Sequence, residues 1–254
     1  MIYGLYLSAS GVLSNSYRQD VIANNLANSQ TVGFKRSLAM MQARRAEAGE
    51  QGQPQLTDPT LENMGGGLLQ LPSFVDQTAG PIEPTGNNLD VAINGKGYFV
   101  VQAGDQTKLT RNGQFMVDRA GYLILADGTG NRVLDKQLKP IQLGNVPQSL
   151  LSVKIDGTIT SSGEPLAQLG FFDVPTPAAL RQNGGTLLTY PDMKKLKPAS
   201  GTLQSGFTES SNVDPTTELT QLIDAERQLE ANANMIRIQD QTLSRAVNDV
   251  GKIS

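Results

Sequence analysis

The sequence predicts an α+β chain: a discontinuous two-helix coiled-coil layer formed by the N- and C-terminal helices, an inserted antiparallel β domain and a long extended connector. Three observations carry this reading. Apolar or small residues recur at heptad spacing at both ends, short β-type runs alternate with turn dipeptides between them, and the chain breakers, 26 Gly and 13 Pro in 254 residues, crowd the middle. The predicted division is 1–45 plus 205–254 for the helical layer, 46–86 for the connector and 87–204 for the β domain.

From Ile2 to Asn28 there is no Pro, and Ile2, Ala9, Ser16 and Ala23 lie on one row with Leu5, Val12 and Leu26 on the next, which predicts a helix. Near its end stand Asn24, Asn25 and Asn28, poor helix formers that together cost about 2 kcal/mol relative to Ala. Two readings stand: a fraying end with Asn28 near the left-handed cap position, or carboxamides at Asn24 and Asn28 placed on one face to bond laterally to other backbones. Gly33 then supplies a flexible turn and Phe34 a bulky anchor.

The stretch 46–86 is rich in Gln, Gly, Pro and Thr, as an extended connection would be. In the β domain, Asn94-Gly95, Asn112-Gly113 and Asp156-Gly157 each separate two β-type runs and predict two-residue hairpins. Further strands are expected at Tyr122–Leu125, Arg132–Leu134 and Leu166–Val174.

The C-terminal signal is the strongest. Leu222, Leu229, Ile236, Leu243 and Val250 stand seven apart, with Leu219, Ala233 and Val247 as the companion row. Asp214 is placed to cap and Pro215 to open the helix, and Gly251 to stop it. Glu226 and Asp240 fall on the companion row, where a sealed seam would hold apolar residues; they are either simply exposed or matched to cations on another subunit.

Composition narrows the function. With no His, Cys or Trp, a Ser-His-Asp triad, a thiol nucleophile, a disulfide framework and a Cys/His zinc site are all excluded. Twenty-one basic against 24 acidic residues argue against a nucleic-acid partner. No run approaches the length of a membrane span, and the start lacks the features of a cleavable signal peptide. Gly95-Lys96-Gly97 and Gly128-Thr129-Gly130 read as turns rather than phosphate loops, and Lys194, Lys195 and Lys197 as a solvated loop. No cofactor, metal or small-molecule substrate is expected.

Val21-Ile22-Ala23-Asn24-Asn25-Leu26-Ala27-Asn28 followed by Thr31-Val32-Gly33-Phe34-Lys35-Arg36 closely resembles the N-terminal signature of the bacterial flagellar basal-body rod and hook protein family. The likeness continues through Leu89-Asp90-Val91-Ala92-Ile93-Asn94-Gly95-Lys96-Gly97-Tyr98-Phe99, Thr110-Arg111-Asn112-Gly113-Gln114-Phe115 and Ser211-Asn212-Val213. Two positions depart from the family pattern: Leu229 and Leu109 stand where aromatics are usual, with apolar bulk retained. At this length the resemblance is to the rod members with one inserted domain, the proximal more than the distal on the run Thr85–Arg119.

The resemblance implies a structural subunit of the axial rod, exported unfolded by the flagellar type III apparatus without a cleaved signal, partnered by copies of itself and by other rod and hook proteins in the periplasm. It places Asn24, Asn25, Asn28, Gly33, Phe34, Leu222, Glu226, Leu229, Ile236, Asp240 and Leu243 as candidate subunit-interface residues. Independently of it, an N-terminal seam of Ala and Ser buries little area, so the helix pair is expected to be marginal alone and to order on docking. Two other classes stay open on the residues alone: a carboxylate-dependent glycan hydrolase and an oligomeric stalked binding module.

Overall fold

The computed structural model describes residues 2–43 and 67–250. The chain forms two compact units: a helical one of Met1–Leu26, Leu38–Ser73 and Pro215–Ser254, and a β-rich one of Ala27–Ser37 and Phe74–Asp214. Among the described residues no helix is long and apolar enough to cross a membrane.

In the helical unit, α1 spans Ile2–Ala27 and α2 spans Pro215–Val250, in agreement with the heptad patterns. Pro215 takes the first helical position, where its missing N–H has no intrahelical partner to lose. The helices run antiparallel. Gly4 lies under the Gln239 amide and Gly11 under that of Asn232, each so close that a Cβ would come within 2.8 Å of the amide nitrogen, and Asn25 Nδ2 donates to Glu218 Oε2 at 3.2 Å. The residue numbers of every one of these pairs sum to 243. A two-stranded ribbon of Ser37–Ala43 and Leu68–Val75 belongs largely to this unit. Its hydrogen bonds to α1 include Leu68 N to Ser10 Oγ at 2.9 Å, Tyr17 Oη to the Leu71 carbonyl at 3.0 Å and Gln70 Nε2 to the Leu13 carbonyl at 2.9 Å.

One expectation about this unit is corrected. Leu222, Leu229, Ile236 and Leu243 are half-buried as predicted, but their companions on the inward face are Glu218, Ala225, Asn232 and Gln239. The predicted companion row is turned to solvent, with Leu219 50% and Val247 70% exposed. The reason lies on α1, whose facing glycines leave room for amide side chains rather than for a second row of leucines. The side chain of Val250 is outside the described residues.

The β unit is antiparallel throughout. Its main sheet runs Arg181–Gln182, Leu187–Thr189, Gln106–Thr110, Tyr98–Ala103, Arg132–Val133, Leu123–Leu125, Phe115–Val117, and Phe171–Asp173 also pairs with Tyr98–Ala103. A three-stranded sheet joins Leu151–Val153, Thr158–Ser161 and Glu164–Gln168. Successive residues of Tyr98–Ala103 point to opposite faces, and each face has its own core. Phe99 and Val101 enter a cluster with Phe115, Leu123, Leu125 and Ile159, while Tyr98 and Val100 enter another with Leu109, Leu134, Leu180 and Leu188. Phe99 meets Phe115 edge to face at a centroid distance of 5.1 Å.

The hairpin expected around Asp156-Gly157 forms between Leu151–Val153 and Thr158–Ser161, but through a three-residue loop, Ile155-Asp156-Gly157, closed by Lys154 and Thr158 rather than the two-residue turn expected, with Gly157 at φ +83°. The other two predicted hairpins do not form. Val91–Asn94 pairs instead with Thr202–Ser205, and Gln106–Thr110 with Tyr98–Ala103 through a Gly104-Asp105 turn in which Gly104 has φ +61°. Asn112 is buried, its Oδ1 accepting from Gln114 N and its N donating to Thr110 Oγ1, both at 3.0 Å, so it caps a local turn rather than a hairpin. The run expected at Leu166–Val174 is split at Gly170, where the backbone passes so close to Leu134 that a Cβ would stand 2.6 Å from its carbonyl oxygen. Of the expected connector, residues 46–66 lie outside the described residues. The remainder carries the Leu68–Val75 strand and Ile82–Pro84, which pairs with Phe207–Glu209.

Candidate assembly elements

Two places in the chain bring predicted site residues together with partners far away in sequence. The first is the seam of the helical unit, where Asn25 is buried against Glu218. Burying a carboxylate beside a carboxamide is favourable only in one register, because any slip leaves the charge without its donor. Asn24 is exposed on the same helix. The leucine row of α2 supplies the apolar half of this seam, and Glu226 and Asp240 lie outside it, exposed.

The second place lies in the β unit, at the loop that follows α1. Asn28 begins it: Thr31 N donates to the Asn28 carbonyl at 3.0 Å and Thr31 Oγ1 to Asn28 Oδ1 at 3.2 Å, which curls the chain into a turn. Gly33 has φ +71°, and a Cβ there would fall on the backbone nitrogen of Asn112, so glycine is required both by conformation and by space. Gly33 N donates to the Glu209 carbonyl at 2.7 Å, and Phe34 is wholly buried.

Around this crossing sits an ionic cluster nearly removed from water. Lys35 Nζ donates to Glu209 Oε1 and to the Thr78 carbonyl, both at 2.6 Å, and Arg111 donates to Glu209 Oε2 at 3.2 Å and to the Gly95 carbonyl at 2.8 Å. Gly80 N gives Glu209 Oε1 another donor at 3.0 Å. The exposures of the Lys35, Arg111 and Glu209 side chains are 2%, 6% and 1%. Asn212 continues the bracing, accepting from Arg36 N at 2.7 Å and donating to Thr78 Oγ1 at 2.9 Å. Burial pushes the Lys35 ammonium below the usual lysine value, with Glu209 opposing the shift. Burial likewise pushes the Tyr98 phenol up to about 12; its hydroxyl bonds Gln77, and the Arg111 guanidinium lies 5.1 Å from its ring centre.

The candidate residues therefore separate into three groups. Asn25, Leu222, Leu229, Ile236 and Leu243 meet in the seam, Asn28, Gly33 and Phe34 form the crossing beside the ionic cluster, and Asn24, Glu226 and Asp240 face solvent. Lys35, Arg111, Glu209, Asn212, Glu218, Asn232 and Gln239 are absent from the sequence-based set. The seam residues carried a signal, since Gly4 and Gly11 on α1 and Asn232 and Gln239 on α2 share the seven-residue spacing. The three clasped charges carried none, being 98 and 174 residues apart.

Comparison with known proteins identifies the family. Three family descriptions match in chain order: flagella basal body rod protein over residues 5–35, flagellar hook protein FlgE/F/G D1 domain over 92–161, and flagellar basal body rod FlgEFG protein C-terminal over 204–249. The flagellar basal-body rod protein FlgG of Bacillus subtilis is 31% identical, covering 98% of this chain and 99% of its own. FlgF of Caulobacter vibrioides is 29% identical with 98% of each covered, and FlgG of Buchnera aphidicola from Acyrthosiphon pisum 30% identical with 96% and 98% covered. With a relative 31% identical and matched from end to end, and three family descriptions met in chain order, the chain belongs to the flagellar basal-body rod protein family.

Proposed function

We propose that this rod subunit assembles head to tail into a helical axial shaft through its terminal helices, which complete their folding as they dock on neighbouring copies and on other rod and hook subunits. The observation that carries this is the distribution of apolar surface in the helical unit. Among the described residues its buried apolar side chains are Ile22 and Ala225, whereas Tyr6, Leu13, Leu219, Met235, Ile238 and Val247 are exposed by 48% or more. A unit that exposes more apolar bulk than it buries gains its stability from neighbours. Identical subunits related by a rotation that does not close extend indefinitely.

On this reading the chain transmits torque across the periplasm, leaves the cytoplasm through the flagellar type III apparatus, and has no catalytic role. The exposed Asn24, Glu226 and Asp240 face adjacent subunits. The relatives named FlgG and FlgF resemble the chain to the same degree, and the run Thr85–Arg119 supports the proximal, FlgF-like position.

Hydrogen exchange by mass spectrometry on dilute monomer tests the proposal. Residues 4–27 and 215–248 are expected to exchange freely while Tyr98–Ala103 stays protected, and all are expected to be protected after assembly. Protection of both helices in a monodisperse monomer would reject folding on docking and favour a finished stalk.

A further inference from the structure

We infer that the Lys35–Glu209–Arg111 cluster is a register clasp: it holds the two chain crossings of the β unit together so that α1 and α2 can pair in only one alignment. The clasp lies wholly within the β unit and owes nothing to the helices. Its backbone bond joins Gly33 to Glu209, six residues after α1 ends at Ala27 and six residues before α2 begins at Pro215. The two tethers are thus equal in length. The clasped pair sums to 242, one away from the 243 shared by every seam pair, so counting outward from the clasp along both strands sets Asn25 opposite Thr217, one residue from its seam partner Glu218.

In an unfolded chain, closing the helix pair would mean joining segments separated by 193 residues; in the folded β unit the pairing of Phe207–Glu209 with Ile82–Pro84 and of Asn212 with Arg36 already holds the two strands near each other, and the clasp fixes which residues meet. With it, the helices meet across two short tethers, and the effective concentration of one for the other rises accordingly. The chemistry suits alignment better than stability. A buried ion cluster is repaid only in its own geometry: sliding the Lys35 crossing past Glu209 by a residue would part the two and leave a buried ammonium without its counter-charge. The leucine row alone would tolerate a slip of one heptad, since Leu222, Leu229, Ile236 and Leu243 are interchangeable at that spacing.

This inference rests on the helices folding late, as proposed above, and it assigns to the rod signature around Gly33 and Lys35 the task of setting their alignment when they do. It acts within one chain, where Lys35 and Arg111 both bond Glu209 and the three side chains are nearly buried.

The chain has no cysteine, so introduced pairs report cleanly. Disulfide formation is followed in dilute monomer for N25C/E218C, the in-register pair, and for N25C/A225C, one heptad out of register. The in-register pair is expected to close at least tenfold faster, and adding Glu209→Gln is expected to lower that ratio toward one. Lys35→Met, which keeps the Arg111–Glu209 pair, guards against a general collapse: the β unit stays protected at Tyr98–Ala103 while the ratio still falls. A ratio unchanged in both variants would overturn the clasp. Protection of both helices in wild-type monomer would instead reject late folding, and the disulfide ratio would still decide the clasp.

Discussion

In the β unit Val91, Ile93, Phe99, Val101, Leu125, Val133, Leu151, Ile159 and Leu169 are each no more than 2% exposed, while in the described part of the helical unit full burial falls mainly on polar groups: Ser8, Ser14, Asn15, Asn25 and Glu218. The β unit carries enough apolar area to fold by itself. The helical unit spends its buried positions on carboxamides, hydroxyls and a carboxylate, which fix alignment at the expense of stability. The contrast supports a division of labour in which one half of the chain is a finished domain and the other, on the proposed assembly, is completed by neighbours.

The largest effect that would break this contrast comes from emptying each core in turn. Phe99→Ala removes a ring that packs edge to face on Phe115 and lies 6.2 Å from the Phe171 ring, and is expected to cost the β unit about 3–5 kcal/mol. Leu229→Ala, in the row of α2 with the best heptad spacing, is expected to cost the dilute monomer about 1 kcal/mol or less while weakening assembly severely. Denaturant midpoints of the monomer, followed by tyrosine absorbance, and sedimentation of the assembled form measure both. An equal loss in the monomer from the two substitutions would mean that the helical unit is already a folded domain.

A second test sharpens the picture of the β unit through Tyr98. Its phenol titrates at about 12 in the folded chain against about 10 unfolded, because burial disfavours the phenolate. The folded state therefore holds this proton where the unfolded state has lost it, and stability falls as pH rises from 10 to 12. The two-unit shift corresponds to about 3 kcal/mol, fully present below pH 10 and gone above 12. Lys35 acts in the opposite sense: its lowered folded value makes the unfolded state the better proton binder, so its contribution rises with pH up to the free lysine value. Comparing wild type with Tyr98→Phe isolates the tyrosine, and the variant is expected to show the shallower alkaline decline. The same decline in both would place the loss elsewhere.

How much of this was legible in the sequence follows the locality of the signals. Both helices were readable nearly to the residue, since period and capping are local, and Asp156-Gly157 was readable because its strands are neighbours. Asn94-Gly95 looked the same in sequence but joins strands whose partners come from elsewhere: Ile93 pairs with Leu203 and Val100 with Leu109. The companion row of α2 was misread because apolarity pointed to Leu219 and Val247, whereas the inward face was decided by what α1 offers at Gly4 and Gly11. Among the candidate residues Gly33 announced itself by its type, but Glu209 could not be joined to Lys35 and Arg111 without the fold.

The smallest expected effect is also the most pointed. Glu226 and Asp240 are exposed on a flank of α2 that the chain itself leaves uncovered, so Glu226→Gln with Asp240→Asn is expected to change monomer stability by no more than about 0.5 kcal/mol. On the proposed assembly the same two carboxylates lie on the face offered to neighbours. If they meet cations there, the double variant assembles more slowly and its rate loses part of its dependence on ionic strength, because screening acts only on charges that are present. Assembly rates at two salt concentrations separate the cases: a salt dependence identical to wild type makes this flank solvent-facing in the rod as well, and leaves the exposed apolar residues Leu219 and Val247 to carry the contact.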